Sequence, residues 1–332
     1  MDLNIVWFLL IGFLLVGYAI LDGYDLGTGM HHFFVKREND KQAMIKAIAP
    51  FWDGNEVWLL TGGGAIFAAF PHVYATVFSG FYLAMITLLV ALIFRALSIE
   101  FRNEVENKSW QKFWDKAFSI SSFLAALLLG IALGNIYTGL PIDGQMNFTG
   151  SFFTLLRPIP LCIGISGVFM MATQGAAFQA LKTSSYLQKS MKEKVRLSWF
   201  LFLISIALTI MVVAITDMTK IEILFQNPFG YLAMICFAVG VISLPLFLKN
   251  DALLQTFLAS SLIIISMFLI VGVTIFPNMV PALDLANSLT IYNASSSQKT
   301  LTTMLFIALI GMPIVIFYTV FVYRVFRKGS AR

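Results

Sequence analysis

Long apolar segments joined by short polar connections make up most of this chain. A spanning helix needs roughly 20 mostly apolar residues. Nine stretches approach that length: residues 5–21, 58–70, 77–97, 118–136, 159–181, 197–215, 229–248, 253–276 and 301–326. The second reaches it only by starting near Trp52, which draws Asp53 and Glu56 into the helix. Open strands cannot cross lipid, because their edges would leave backbone groups unpaired. The pattern predicts an all-α, polytopic membrane helical bundle of nine transmembrane helices, with residues 1–332 forming a single integral membrane domain. Asp2 stands where a signal peptide would be basic, and the first apolar run is longer than a signal core, so it reads as a retained first helix. The connection 277–300, with Asn293-Ala-Ser-Ser-Ser, reads as a mobile loop. No linker or internal repeat is evident.

Composition agrees. The chain is 59% hydrophobic and 12% charged, against about 25% charged in a soluble domain. Its net charge of +5 could suggest nucleic acid, but the distribution of basic residues says otherwise. One set of connections holds Lys36, Arg37, Lys41 and Lys46, then Arg102, Lys108, Lys112 and Lys116, then Lys182, Lys189, Lys192, Lys194 and Arg196. Lys249 follows on the same side, with Arg324, Arg327, Lys328 and Arg332 at the C-terminus. The opposite side has only Lys220 and Lys299, with Arg95 and Arg157 at helix ends. Positive residues accumulate on the cytoplasmic side. The expected orientation is N-terminus outside and C-terminus inside, which requires an odd number of helices. Cys162 and Cys236 fall in apolar segments without a motif and read as buried packing residues.

The candidate chemistry lies in two short stretches. Residues 20–29 read Ile-Leu-Asp-Gly-Tyr-Asp-Leu-Gly-Thr-Gly, and residues 49–58 read Ala-Pro-Phe-Trp-Asp-Gly-Asn-Glu-Val-Trp. Each carries two carboxylates three residues apart: Asp22 with Asp25, and Asp53 with Glu56. Ionisable groups within or beside a span default to a functional hypothesis. Asp22 lies about 25 Å along the first helix from Ile5 at 1.5 Å per residue, hence in its inner part. Asp22, Asp25, Gly29 and His32 share one helical stripe. Gly23 and Gly27 form a G-x-x-x-G, which allows close approach of another helix. Asp53, Glu56, Arg95 and Glu100 fall at the same inner level, where a proton intake would need titratable groups. Structural alternatives stand beside this reading. Asp53-Gly-Asn-Glu56 has capping-box spacing, Asp22 and Asp25 could serve structural hydrogen bonds, and Arg95 and Glu100 could be interfacial ion-pair partners. Gln174 could bond across helices or contact a bound lipid or quinone.

His31, His32 and His72 lie at or beyond predicted helix ends, which makes this chain a poor haem host. No nucleotide fingerprint, phosphate loop or metal-ligand cluster is present; Thr61-Gly-Gly-Gly lacks the Lys-Ser/Thr of a phosphate loop and reads as a packing seam.

The two acidic stretches, with Gly63-Gly-Ala-Ile-Phe-Ala-Ala69, Phe78-Ser-Gly-Phe-Tyr82, Phe94-Arg95, Trp114-Asp115, Gly134-Asn135 and Thr173-Gln-Gly175, resemble subunit II of cytochrome bd-type quinol oxidases, including the cyanide-insensitive variants. The match is dense over residues 1–190 and mainly hydropathic beyond. The resemblance implies a nine-helix subunit of the bacterial cytoplasmic membrane, paired pseudo-symmetrically with a haem-bearing subunit I that holds haems b and d. The complex would oxidise quinol and reduce oxygen to water with cytoplasmic protons. A small single-helix third subunit is left open. This chain would carry no catalytic residue and no cofactor of its own, and would contact membrane lipid but no nucleic acid. A proton role carries over onto Asp25 and Asp53 only; Glu56 stands where some members have glutamine. The competing readings are a proton-coupled secondary transporter, which usually shows repeats and a midplane site, and a structural membrane scaffold.

Overall fold

The computed structural model describes residues 2–326. Arg327, Lys328 and Arg332, counted in the charge asymmetry, lie outside the described residues. The helices are α1 (Leu3–His32), α2 (Glu38–Ile48), α3 (Trp52–Ala69), α4 (Pro71–Gly80), α5 (Tyr82–Phe101), α6 (Lys108–Thr138), α7 (Pro158–Lys182), α8 (Ser185–Thr216), α9 (Thr219–Gln226), α10 (Pro228–Lys249), α11 (Leu253–Ile275) and α12 (Gln298–Val325). Two short strands, β1 (Asn278–Val280) and β2 (Leu289–Thr290), pair antiparallel between α11 and α12.

Eight of the described helices are long and apolar enough to cross a membrane: α1, α5, α6, α7, α8, α10, α11 and α12. The second predicted span corresponds to α3. It begins at Trp52, but its 18 residues include Asp53, Asn55 and Glu56, and that polar first turn keeps it below the apolarity of the other eight. The third predicted core is interrupted, because the chain turns at Phe81 and divides residues 77–97 between α4 and α5. Pro71 suits the first turn of α4, where its missing N–H costs nothing. Helices α2 and α9 fall in connections that carry no spanning signal; α2 is amphipathic, burying Met44, Ile45, Ala47 and Ile48.

Glycine sets the helix crossings. A Cβ on Gly27 would stand 2.0 Å from the Met171 carbonyl oxygen and 2.7 Å from the Gly175 nitrogen. One on Gly175 would reach the Gly27 carbonyl carbon at 2.3 Å. Helices α1 and α7 therefore cross backbone on backbone. Gly130 meets Gly164 between α6 and α7 in the same way, and Gly29 faces Ser122 of α6. The trio α1, α6 and α7 forms the tight centre, α3 packs on α1, α5 packs on α6, α8 runs along α7, and α10 pairs with α11. Helix α12 lies outermost, with Leu301 its only buried residue.

Two ends can be told apart. At the cap end, where α1 begins, the 277–300 connection is a folded element: Val280, Leu289, Ile291 and Ala294 pack with Trp7, Phe70, Phe81, Leu140 and Leu301 in one apolar cluster. Its serines and asparagine explain the looser expectation, but they tie the connection down, as where Ser296 Oγ donates to the Ala68 carbonyl at the end of α3 at 2.7 Å. At the basic end, where α1 finishes, Lys41, Arg102 and Lys182 gather around the α1–α2, α5–α6 and α7–α8 corners.

Candidate functional site

Helix α1 places its ionisable residues against α3, α5 and α6 near the basic end. Asp22 is fully buried, and Arg95 of α5 donates to it from Nη1 at 2.5 Å. The second guanidinium arm, Nη2, reaches Glu56 Oε2 of α3 at 3.2 Å. Arg95 is itself fully buried, whereas the Glu56 side chain keeps 21% of its surface. A buried guanidinium needs such partners, because an unpaired charge inside a protein is costly. Asp25, one turn further, is also fully buried and takes a different partner: Asn55 Nδ2 donates to its Oδ2 at 2.7 Å. The same amide nitrogen donates to the Tyr24 hydroxyl at 2.6 Å, and that hydroxyl meets Tyr323 of α12 at 2.5 Å.

This chain of contacts ends at a cleft of about 470 Å³ between the start of α3, the end of α5 and α12. Asp53, Asn55, Glu100 and Tyr323 all line it. Asp53 and Glu100 are exposed there. Asp53 is the second residue of α3; Phe51 is the N-cap and makes no side-chain bond, and the Asp53 side chain has no hydrogen bond or ion pair with any described residue. The capping-box alternative does not describe this helix start. Two exposed carboxylates thus stand at the mouth of a hydrogen-bonded chain that leads through Asn55 and the two tyrosines to Asp25.

A second cluster closes the basic end. Asp115 of α6 receives Arg102 Nε on Oδ1 and Lys41 Nζ on Oδ2, both at 2.5 Å, and pairs with His32 Nε2 at 2.6 Å. Arg102 continues to Glu38 at 2.7 Å. His31 Nε2 contacts the Ala172 carbonyl at 2.8 Å. The ring Nε2 atoms of both histidines are committed to protein groups, so these residues do not fit a haem held by this chain. Among the described residues, no three His, Cys, Asp or Glu side chains gather as a metal site.

Gly23 and Gly27 face α7, Gly23 against the Met171 sulfur and Gly27 against the Met171–Gly175 backbone. Gln174 is fully buried between α1, α7 and α11. Its Nε2 donates to Ser261 Oγ at 3.0 Å and to the Ile20 carbonyl at 3.3 Å, and its Oε1 accepts from Ser260. From the sequence alone, none of Asn55, Tyr24 and Tyr323 stands out as functional. The first two sit inside the acidic motifs, where their polarity between carboxylates was a usable signal. Tyr323 had none, since its approach depends on how α12 folds back.

The fold and this buried network define a multi-pass helical membrane protein with ionisable groups threaded into its spanning region. The chain belongs to the cytochrome bd terminal oxidase subunit II family, whose family model matches residues 3–326. It is 35% identical to cytochrome bd-I ubiquinol oxidase subunit 2 of Escherichia coli (strain K12), covering 97% of this chain and 93% of that protein. It is 33% identical to cytochrome bd ubiquinol oxidase subunit 2 of Bacillus subtilis (strain 168), covering 98% and 96%. A chain in the structure of bd oxidase from Geobacillus thermodenitrificans shares the fold, with a TM-score of 0.81 over 98% of this chain and 99% of that one at 16% identity. These relatives do not favour the transporter reading.

Proposed function

We propose that this chain is the non-haem subunit II of a quinol:oxygen oxidoreductase in the bacterial cytoplasmic membrane, and that it supplies cytoplasmic protons for the reduction of oxygen to water. It spans the membrane nine times, α3 included, with the N-terminus outside and the basic end in the cytoplasm. Haems b and d belong to subunit I, quinol is the substrate of the complex, and this chain contributes no catalytic residue. A partner subunit also accounts for the uncovered apolar side chains of α3 and α12, among them Leu60, Phe67, Ile310 and Phe317.

The observation that carries the reading is the hydrogen-bonded chain from the Asp53–Glu100 cleft to Asp25. A carboxyl that is fully buried yet linked to an open cleft can take up a proton from water and hold it in a low-dielectric site. Asn55 Nδ2 holds both the Asp25 carboxylate and the Tyr24 hydroxyl, which keeps the Tyr24–Tyr323 pair beside Asp25 without a direct hydrogen bond to it. Asp22 is neutralised by Arg95 and serves to fix that guanidinium.

Asp25→Asn and Asp53→Asn test this in the intact oxidase. Each keeps side-chain shape and removes the proton carrier. Quinol-driven oxygen consumption per haem is expected to fall roughly a hundredfold for Asp25→Asn, the scale of a lost proton-transfer group, and less for Asp53→Asn, because Glu100 shares the cleft. Wild-type turnover in both variants, with haem content intact, would reduce these acids to structural roles.

A further inference from the structure

We propose that Tyr323, carried by the outermost helix, is a positioning residue for Asp25: it draws the Tyr24 hydroxyl proton away from that carboxyl. Tyr24 is fully buried, and its hydroxyl has two partners among the described residues, Asn55 Nδ2 at 2.6 Å and Tyr323 Oη at 2.5 Å. An amide nitrogen only donates, and an ionised carboxylate only accepts. Asn55 turns its nitrogen to Asp25 Oδ2 at 2.7 Å, so the same nitrogen donates to Tyr24, whose oxygen accepts. The proton of Tyr24 then goes to Tyr323, because a buried donor left without an acceptor is costly. Tyr323 is half-buried and lines the cleft, so its own proton has that opening to face.

Asp25 is thereby left with one donor among the described residues, Asn55, although a second stands close by. Tyr24 Oη and Asp25 Oδ2 are bonded to the same nitrogen and can be no farther apart than two hydrogen bonds. A small tilt of the Tyr24 ring brings its O–H onto the carboxylate. What prevents this is the competing acceptor on α12. That helix fully buries only Leu301, near its opposite end, and beside the cleft Tyr323 rests on the Phe51 ring at 4.4 Å. Tyr24 is seated in the bundle itself, its ring stacked on Phe178 at 3.8 Å. A shift of α12 at this end withdraws the acceptor and leaves the donor in place.

A hydrogen bond to a charged carboxylate favours the charged form. Tyr24 turned onto Asp25 therefore opposes proton uptake there, and Tyr323 keeps the carboxyl ready to load. This use rests on the proton-intake reading above; the placement of the Tyr24 proton does not. The charged groups facing Asp25 are Asp22 on its own helix, Glu56 of α3 and Arg95 of α5, and a change at Tyr323 leaves all three intact.

Tyr323→Phe in the intact oxidase keeps the ring stack and removes only the acceptor. With haem content unchanged, turnover at saturating quinol is expected near wild type at about pH 6 and about tenfold lower by about pH 8.5, the scale of one hydrogen bond to a charged group. Adding Tyr24→Phe removes the misplaced donor and should restore the wild-type profile, with the Leu21 carbonyl remaining as a second acceptor for Asn55. A purely structural role predicts the opposite: an equal loss at every pH, with the double variant no better than the single one. Either of those results overturns the positioning role. If Tyr323→Phe fails to assemble, Tyr24→Phe alone decides, since it should keep the wild-type profile and a loss confined to high pH would refute the proposal. An unmoved profile in Tyr323→Phe, while Asp25→Asn stops turnover, overturns the positioning and leaves proton intake standing. If Asp25→Asn turns over normally, intake fails, and a single-particle map of Tyr323→Phe decides the rest. Tyr24 Oη within hydrogen-bond distance of Asp25 in that map upholds the positioning, and Tyr24 unmoved overturns it.

Discussion

At the cap end, the bundle is closed by apolar side chains from α1, α3, α4, the 139–156 connection and the β1–β2 element. It adds neutral hydrogen bonds between distant parts of the chain, such as Trp7 Nε1 donating to the Leu301 carbonyl at 3.1 Å. At the basic end, and one to two turns into the bundle, closure relies on buried charge: Arg95 with Asp22 and Glu56, and Asp115 with Arg102, Lys41 and His32. Buried ion pairs are a poor way to gain stability, because desolvation offsets most of the Coulomb attraction and an apolar replacement is often neutral or better. The cap end shows that this fold closes well with apolar residues. Buried ion pairs are retained at the other end, although the apolar cap shows that closure does not require them.

The comparison depends on α1 being held where both sets of partners can reach it. Gly27→Leu should have the largest effect, since its side chain would have to displace the α7 backbone rather than a flexible side chain. We expect little or no assembled oxidase, a destabilisation at or beyond the upper end of the roughly 1–3 kcal/mol typical of overpacking. Gly12→Leu, with nothing within 4 Å of its Cβ position, should be silent. Membrane yield and haem content of the two variants check this, and equal yields would show that the α1–α7 crossing can relax.

Next in size are substitutions that probe each end separately. Asp115→Leu strands Arg102 and Lys41 and should cost about 3–5 kcal/mol. Leu289→Ala, in the cap cluster, should cost about 2–5 kcal/mol through its cavity. The two sites share no partners, so the double variant should be additive within about 0.5 kcal/mol, whereas Asp115 and Arg102 should be coupled. Denaturant titration of the purified complex measures both. Coupling between Asp115 and Leu289 would break the picture of two independent closures.

Much of this was legible in the sequence for one physical reason: charge is so rare in apolar segments that each ionisable residue stands out. The spacing of Asp22, Asp25, Asp53 and Glu56 marked them, and the G-x-x-x-G at Gly23 and Gly27 marked a close approach. What could not be read was pairing. Arg95 lies 73 residues from Asp22 along the chain, and Asp115 lies 83 from His32; only the tertiary fold joins them. The break at Phe81 escaped notice because hydropathy runs through it unchanged. The cap was read as loose because its serines and asparagines have loop composition, while Leu289, Ile291 and Ala294, the residues that anchor it, are too few to register as a segment.

The smallest expected effect sharpens the contrast at the cap end, where titration should touch only the surface. Asp143 Oδ1 accepts from the backbone N–H of Asn147 and of Gln145, both at 2.9 Å. Those bonds hold its exposed carboxyl below the usual carboxylate range. A group whose folded value is lowered binds its proton more readily in the unfolded chain, so its contribution to stability rises with pH. That contribution is fully present above the ordinary value of about 3.9 and is lost as pH falls through the lower folded value. Protection of the 139–150 segment against amide exchange, corrected for intrinsic rates, should therefore be flat from neutrality to about pH 5 and decline only below about pH 4. The apolar cluster beneath it should keep its protection throughout. Asp143→Asn, which retains an acceptor oxygen but no titrating group, should flatten the decline. A loss of protection already near neutral pH would mean that a group other than Asp143 titrates at this end, and the distinction between a charged end and an apolar one would have to be redrawn.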